Sequence, residues 1–141
     1  MRAVFFAGRS KRGMKITGAD HTNWRVRDLE ASLHFYRDVL GFTPFGVEEY
    51  HRGERPLVSL RVTEDFILHL IPTPEDFEPG SGYDHLALHV EDAQRDEVAA
   101  YLESRGVEIE KRFDSITGAR GEGPALYVRD PDGYRIELKF Y

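Results

Sequence analysis

Apolar residues recur every three or four positions in two segments of this chain, which is the spacing of an amphipathic helix with one buried face. The first segment runs from about Leu29 to Leu40 and the second from about Ala93 to Ser104. Gly41 and Gly106 follow them, where a helix C-cap is expected. Shorter segments with strand-like patterns precede and follow each helix, so the sequence predicts a mixture of strands and helices.

The chain carries this pattern twice. Asp20-His21 in the first copy matches Asp84-His85 in the second, with an offset of 64 residues. Three predicted strands follow each helix: FTPFGVEEY, PLVSLRV and FILHLI in the first copy, and VEIEKRF, ALYVRD and YRIELKF in the second. The first strand of each copy ends at a residue that can cap the next helix, Asp28 or Asp92. We predict an α+β fold in which two βαβββ modules form a curved mixed sheet or open barrel with the helices outside.

The length and the hydrophobic content suit one compact domain. The chain has 141 residues, of which 40% are hydrophobic, enough to bury a core. We assign residues 1–14 to an N-terminal extension, 15–71 to the first module, 72–82 to a Pro/Gly-rich linker and 83–141 to the second module. The two modules together form one domain over residues 15–141.

The composition narrows the classes of function. A formal net charge of -6 argues against nucleic acid as a partner. Without Cys there is no disulfide, no thiolate nucleophile and no Cys-based zinc site, so any metal must be held by His, Asp or Glu. The apolar run Ala3–Ala7 is too short for a signal-peptide core or a membrane span. We therefore expect a cytoplasmic protein with no membrane partner.

Four ionisable residues occupy equivalent strand positions in the two copies. His21 and His85 lie on the first strands, and aligning ILHL with IELK makes His69 equivalent to Glu137 on the last strands, with an offset of 68. Because strand side chains alternate between faces, their apolar neighbours can pack on the helices while these four residues face the inner side of the sheet. Three imidazoles and one carboxylate suit Fe(II), Mn(II), Ni(II), Co(II) or Zn(II). The sequence thus predicts a divalent metal site.

Other polar residues share these strand faces: Asn23, Arg25, His89 and Lys139. They make the predicted cavity polar and partly basic, which suits an anionic or carboxylated small-molecule substrate. For Arg25 and Lys139, an ordinary charged position at the rim of the sheet is an equal alternative.

Paired βαβββ modules with ligands on their first and last strands resemble the vicinal oxygen chelate superfamily, and so do the segments FYRDVLGF and DPDGYRIEL. This superfamily includes glyoxalase I, extradiol catechol dioxygenases, fosfomycin-resistance proteins, methylmalonyl-CoA epimerase and bleomycin-resistance proteins. The resemblance implies that His21, His85 and Glu137 form a two-His-one-carboxylate metal triad. It also implies a homodimer, with the ligands supplied by one chain or by two.

His69 is the residue that separates the branches of this superfamily. Glyoxalase I usually has Glu there as a fourth ligand, whereas extradiol dioxygenases have a His that acts as acid/base beside the metal. LYVRDPDGYRIE also resembles the extradiol signature, in which Tyr127 would hydrogen-bond a substrate oxygen. Where that signature has a His, this chain has Arg120, a further candidate for substrate binding. We therefore predict an extradiol-type dioxygenase that uses Fe(II) on a catecholic or other vicinal-oxygen substrate, with His69 and Tyr127 as its catalytic residues.

Three alternatives stay open. One is a glyoxalase I-like lyase or isomerase, in which His69 replaces the usual Glu as a metal ligand. Another is a thiol transferase of the fosfomycin-resistance type, and the third is a non-enzymatic small-molecule binding protein. Mn, Ni, Co and Zn are the alternatives to Fe(II) as the metal.

Overall fold

The computed structural model describes residues 17–73, 75–78, 80 and 83–141. Its elements in chain order are β1 (His21–Val26), α1 (Leu29–Leu33) continued by a π-helix (His34–Val39), β2 (Thr43–Phe45), α2 (Val47–His51), β3 (Val58–Thr63), β4 (Phe66–Pro72), β5 (Leu86–His89), α3 (Arg95–Ser104), β6 (Ile109–Gly118), β7 (Gly121–Arg129) and β8 (Arg135–Lys139). The predicted extension, residues 1–14, and part of the predicted linker lie outside the described residues. The helices of the described part are too short or too polar to cross a membrane.

The strands form two four-stranded mixed sheets with the same topology, β1-β4-β3-β2 and β5-β8-β7-β6. In each sheet the first strand lies at one edge and pairs in parallel with the last strand, β1 with β4 and β5 with β8. The remaining pairs are antiparallel. The prediction of two βαβββ modules is thus confirmed, and the described strands form curved sheets that are not closed into a barrel.

The register of the two parallel pairs matches the alignment of the two copies. Asn23 lies opposite His69 in the first sheet, and Ala87 lies opposite Glu137 in the second. Asn23 and Ala87 differ by the offset of 64, and His69 and Glu137 differ by the offset of 68. Residues equivalent in the sequence repeat therefore occupy equivalent places in the two sheets.

The helix-facing sides of both sheets contribute to one hydrophobic core. In β1, Trp24 and Val26 are buried, whereas the residues that alternate with them are exposed. The strand neighbours of His69 and Glu137 are also buried: Leu68, Leu70, Ile136 and Leu138. Alternation along the strands therefore directs apolar side chains into the core and leaves the predicted ligands on the opposite face.

The turn between β7 and β8 anchors the second module to the first. The hydroxyl of Tyr36, in the π-helix, donates to Asp130 Oδ2 at 2.8 Å. Trp24 stacks on Tyr134 with ring centroids 5.0 Å apart, and the Tyr134 hydroxyl donates to the carbonyl of Arg25 at 3.2 Å. Burial raises the pKa of Asp130 to about 6, although Tyr36 and two backbone N–H groups hydrogen-bond its carboxylate.

Two local predictions are wrong. FTPFGVEEY is not one strand, because Gly46 adopts a left-handed backbone conformation with φ of 77° that ends β2 and precedes α2. Asp28 caps α1 as predicted, accepting a hydrogen bond from the Ala31 N–H at 3.2 Å. Asp92 does not cap α3, because its own φ is 60° and Gln94 occupies the N-cap position.

Candidate metal centre

The four predicted ligands lie in two pairs. In the first pair, the rings of His21 and His69 have centroids 5.0 Å apart. In the second, His85 Nε2 lies 3.3 Å from Glu137 Oε1. Among the described residues, no group of three or more His, Asp or Glu side chains is arranged to hold a metal ion. We refer to His21 and His69 as the first half-site and to His85 and Glu137 as the second half-site.

An Asp residue holds the first-strand His of each half-site in one orientation. His21 Nδ1 lies 2.6 Å from Asp20 Oδ1, and His85 Nδ1 lies 2.6 Å from Asp84 Oδ1. The hydrogen bond from His85 and the charge of Arg135 lower the pKa of Asp84, so this carboxylate is ionised and accepts only. In both pairs the Asp oxygen contacts Nδ1, which leaves Nε2 as the ring nitrogen that is free of this carboxylate. Metal-binding His residues are commonly oriented in this way.

The second half-site has the spacing of two ligands of one ion. Donor atoms that each lie about 2.0–2.2 Å from a metal are roughly 3 Å apart in tetrahedral or octahedral coordination, and His85 Nε2 and Glu137 Oε1 are 3.3 Å apart. The Glu137 side chain is buried, and its strand partner on β7 is Tyr127. Tyr127 lies 5.2 Å from His85 between ring centroids. Burial and the charge of Glu137 raise the pKa of Tyr127, so its phenol stays protonated and can donate.

The first half-site contains two residues that the sequence analysis missed. Ser59 is the strand partner of His69 on β3, and its Oγ lies 2.8 Å from His69 Nδ1. Arg55 Nη2 donates to the same Oγ at 2.8 Å. Burial lowers the pKa of His69, and His21 and Arg55 lower it further, so the imidazole is neutral near neutral pH. The repeat contained a signal for Ser59, because Ser59 precedes Tyr127 by the offset of 68.

The predicted substrate-binding residues of β1 lie on the face of the first half-site. Asn23 is exposed beside His69 in the parallel ladder, and Arg25 is exposed further along the same strand. Both side chains are therefore free to contact a molecule on this face of the sheet.

The predicted substrate-binding residues of the second module lie near the chain terminus. Arg120 Nη1 lies 3.2 Å from His89 Nε2, and both line a cavity of about 430 Å³ together with Tyr141. Lys139 is buried, with its Nζ donating to the carbonyl of Phe140 at 3.2 Å and lying 4.3 Å from the Tyr141 ring centroid. Its burial shows that Lys139 is not a charge at the rim of the sheet.

Comparisons with known proteins agree with this fold. The family model of the Glyoxalase/Bleomycin resistance protein/Dioxygenase superfamily matches residues 18–138. A probable lactoylglutathione lyase from Synechocystis sp. is 31% identical over 123 residues, which cover 84% of this chain and 91% of the relative. A lactoylglutathione lyase from Salmonella typhimurium is also 31% identical over 123 residues, which cover 84% and 88% of the two chains.

Solved structures show the same architecture. A virulence protein from Salmonella typhimurium matches with a TM-score of 0.72 at 26% identity, over 91% of this chain and 99% of that one. A glyoxalase/dioxygenase from Nostoc punctiforme shares the fold, with a TM-score of 0.72 at 21% identity over 99% and 97% of the two chains. This chain therefore belongs to the glyoxalase/bleomycin resistance protein/dioxygenase superfamily.

Proposed function

We propose that this protein is a divalent-metal-dependent lyase of the glyoxalase I type that acts on the adduct of a thiol and a 2-oxoaldehyde. Two relatives at 31% identity are named lactoylglutathione lyase or probable lactoylglutathione lyase, which favours this alternative over the extradiol dioxygenase predicted from the sequence. The observation that most directly supports a metal site is the second half-site, where His85 Nε2 and Glu137 Oε1 are 3.3 Å apart.

We further propose that a homodimer completes the metal centre. The first half-site of one protomer would face the second half-site of the other, so a two-fold axis would generate two equivalent centres. This accounts for the division of the four predicted ligands into two pairs, with no larger group among the described residues of one chain. The polar faces of both sheets, opposite the hydrophobic core, would then lie at the shared centre.

His21, His85 and Glu137 would hold the ion, and both imidazoles are already oriented for this by Asp20 and Asp84. When bound, a divalent ion supplies Lewis-acid polarisation of two vicinal substrate oxygens. This chemistry requires no redox change, so Zn(II), Ni(II), Co(II) or Mn(II) would serve as well as Fe(II).

The side chains of the half-sites would handle the proton. The isomerisation removes a proton from one substrate carbon and returns it to the neighbouring carbon. Glu137 and the neutral His69 are the two candidate acceptors, and Tyr127 can donate a hydrogen bond to a substrate oxygen. Four residues remain proposed contacts for the polar part of the substrate: Asn23, Arg25, His89 and Arg120. Lys139 is no longer proposed, because it is buried and donates to the carbonyl of Phe140.

An extradiol dioxygenase is the second candidate. His69 stands where glyoxalase I usually has Glu, and Tyr127, the residue that resembles the extradiol signature Tyr, lies beside His85 with ring centroids 5.2 Å apart. In that reaction His69 would act as acid/base on a catecholic substrate and Tyr127 would hydrogen-bond a substrate oxygen. Fe(II) would be the ion, and O₂ would be consumed.

Turnover under air and under nitrogen separates the two candidates. The full-length protein is loaded separately with Zn(II), Ni(II), Co(II), Mn(II) and Fe(II), then assayed with a methylglyoxal–thiol hemithioacetal and with catechol. We expect hemithioacetal turnover at the same rate in both atmospheres. Ring cleavage of catechol that stops under nitrogen would replace the lyase by the dioxygenase, and inactivity on both substrates would contradict the proposed lyase.

Mixed dimers test whether two chains share the centre. His21→Gln and Glu137→Gln chains should each be inactive alone. After joint refolding, random pairing makes half of the dimers mixed, each with one intact centre, so activity should recover to about a quarter of the wild-type value. Absence of any recovery would place all ligands of a centre within one chain.

A further inference from the structure

The three His residues of the half-sites have different hydrogen-bond partners at Nδ1. For His21 and His85 the partner is a carboxylate oxygen at 2.6 Å, which can only accept. For His69 it is the hydroxyl of Ser59 at 2.8 Å, which can either donate or accept. The tautomer of His69 therefore depends on what else the Ser59 hydroxyl contacts.

Arg55 decides the direction of the bond between Ser59 and His69. A guanidinium has no acceptor, so Arg55 Nη2 donates to Ser59 Oγ at 2.8 Å. The hydroxyl keeps its own proton, and within the described residues its only other hydrogen-bond partner is His69 Nδ1. If Nδ1 were protonated, the hydroxyl proton of Ser59, a residue with 0% exposure, would be buried without an acceptor. All of these groups have a hydrogen-bond partner when the Ser59 hydroxyl donates to His69 Nδ1.

The Arg55 guanidinium lies next to Gly46 and Phe45. A Cβ atom at position 46 would lie 1.6 Å from Arg55 Nη1, so in this arrangement the guanidinium occupies the space left by the absent side chain of Gly46. The guanidinium also lies 5.9 Å from the ring centroid of Phe45. Phe45 is the strand partner of Ser59 on β2, so Arg55 lies beside the cross-strand row that consists of Phe45, Ser59, His69 and Asn23.

We infer that Arg55 and Ser59 are positioning residues that hold His69 in the tautomer with the proton on Nε2. His69 then presents a hydrogen-bond donor to the substrate and no lone pair to the metal, in contrast to His21 and His85. This inference deepens the proposed function: of the two candidate proton acceptors it leaves Glu137, and it reduces the metal ligands to His21, His85 and Glu137.

Long-range proton–nitrogen correlation spectra of the metal-free, ¹⁵N-His-labelled protein read each tautomer directly. His→Gln variants assign the signals. We expect the proton of His69 on Nε2 and the protons of His21 and His85 on Nδ1. A wild-type His69 with its proton on Nδ1 would overturn the inference.

Two replacements of Arg55 test the cause. Arg55→Lys keeps a partner that can only donate, so the tautomer of His69 should stay as in the wild type. Arg55→Gln introduces a carbonyl that can accept from Ser59, so the form with the proton on Nδ1 should become clearly populated. If both variants give the same tautomer, Arg55 does not set it. Ser59→Ala should likewise give a mixture, and Ser115→Ala, which removes an exposed hydroxyl bonded to Glu122, is its matched control.

Addition of Zn(II) separates this inference from the proposed function. If both hold, the Nε2 signals of His21 and His85 shift on binding while His69 keeps its Nε2 proton. Loss of that proton on binding would make His69 a ligand and overturn the inference, leaving the metalloenzyme intact. If no signal shifts, the proposal of a metal site fails. The metal-free spectra still determine the tautomer of His69, so the inference is tested independently.

Discussion

The two half-sites are built on the same backbone and carry different chemistry. In the first, His69 faces Ser59 across an antiparallel pair, and in the second, Glu137 faces Tyr127 at the equivalent positions. The last strand therefore presents a neutral imidazole in one module and a buried carboxylate in the other. The register of the sheet therefore fixes the position of the polar residue, whereas the neighbouring side chains determine its hydrogen bonds and its protonation state.

The largest expected effects come from replacing His69 and Glu137, the two equivalent residues of the last strands. Glu137→Gln removes the only carboxylate among the proposed ligands, so bound metal should fall to background and metal-dependent turnover with it. His69→Ala should keep stoichiometric metal and lose turnover by roughly 10²–10³-fold, the usual effect of removing one donor to a reacting oxygen. Elemental analysis beside the hemithioacetal assay measures both.

The control for this pair is His34→Ala, because His34 is exposed and pairs only with Asp38 among the described residues. It should bind metal as the wild type does. Unchanged metal affinity in Glu137→Gln would remove Glu137 from the proposed centre.

Core truncation should affect the two modules alike. Leu70 and Leu138 are equivalent by the offset of 68 and are 0% and 4% exposed. Leu70→Ala and Leu138→Ala should each lower the free energy of unfolding by about 2–5 kcal/mol. Because both residues belong to one core, denaturant unfolding should remain a single transition in both variants. Separate transitions for the two modules would contradict a shared core.

The turn between β7 and β8 should make the stability of the protein depend on pH. The pKa of Asp130 rises from 3.8 to about 6 on folding, so the folded state holds this proton more tightly than the unfolded state. The associated stability is fully present below the unfolded value and is lost as pH rises through the folded value, a change of about 3 kcal/mol.

Asp130→Asn should abolish this pH dependence, because the amide stays neutral and can still accept from the backbone and contact Tyr36. Chemical denaturation at about pH 4 and about pH 8 should show the wild type losing stability relative to the variant as pH rises. A difference between the two proteins that is constant across this range would contradict the raised pKa of Asp130.

The smallest expected effect comes from the residues that orient the first-strand imidazoles. Asp20→Asn and Asp84→Asn keep an acceptor for Nδ1–H but remove its charge, so each should weaken metal binding by about 10–100-fold. Calorimetric titration with Zn(II) measures the loss. Because both Asp–His pairs have the same 2.6 Å contact, we expect similar losses. A loss in only one variant would show that the two imidazoles do not share the ion equally.

The sequence predicted the fold well because strand alternation is a local pattern and the repeat shows which strands of the two modules are equivalent. They placed Leu68 and Leu138 in the core and matched the ladder register of both sheets. The extent of β2 was mispredicted because the left-handed conformation at Gly46 interrupts an otherwise strand-like pattern. Asp92 was mispredicted as a cap because a helix start depends on the backbone path of the preceding loop.

The candidate site was predicted only at the level of residue types. Strand alternation brings His21 near His69 and His85 near Glu137, but the distance between the pairs depends on how the modules pack. That packing rests on contacts far apart in the sequence, such as Tyr36 with Asp130. Arg55 was missed for a related reason, because it lies before β3 and reaches Ser59 only by folding over Phe45.

The shared register of the two sheets has a consequence for how such a chain can change over time. Because the ladders at His69 and Glu137 have the same register, one residue replacement at either position exchanges an imidazole for a carboxylate at an equivalent place in its sheet. The second copy can keep the ion while the first is altered. A duplicated scaffold of this kind can therefore change the chemistry of one module while the other module keeps its own.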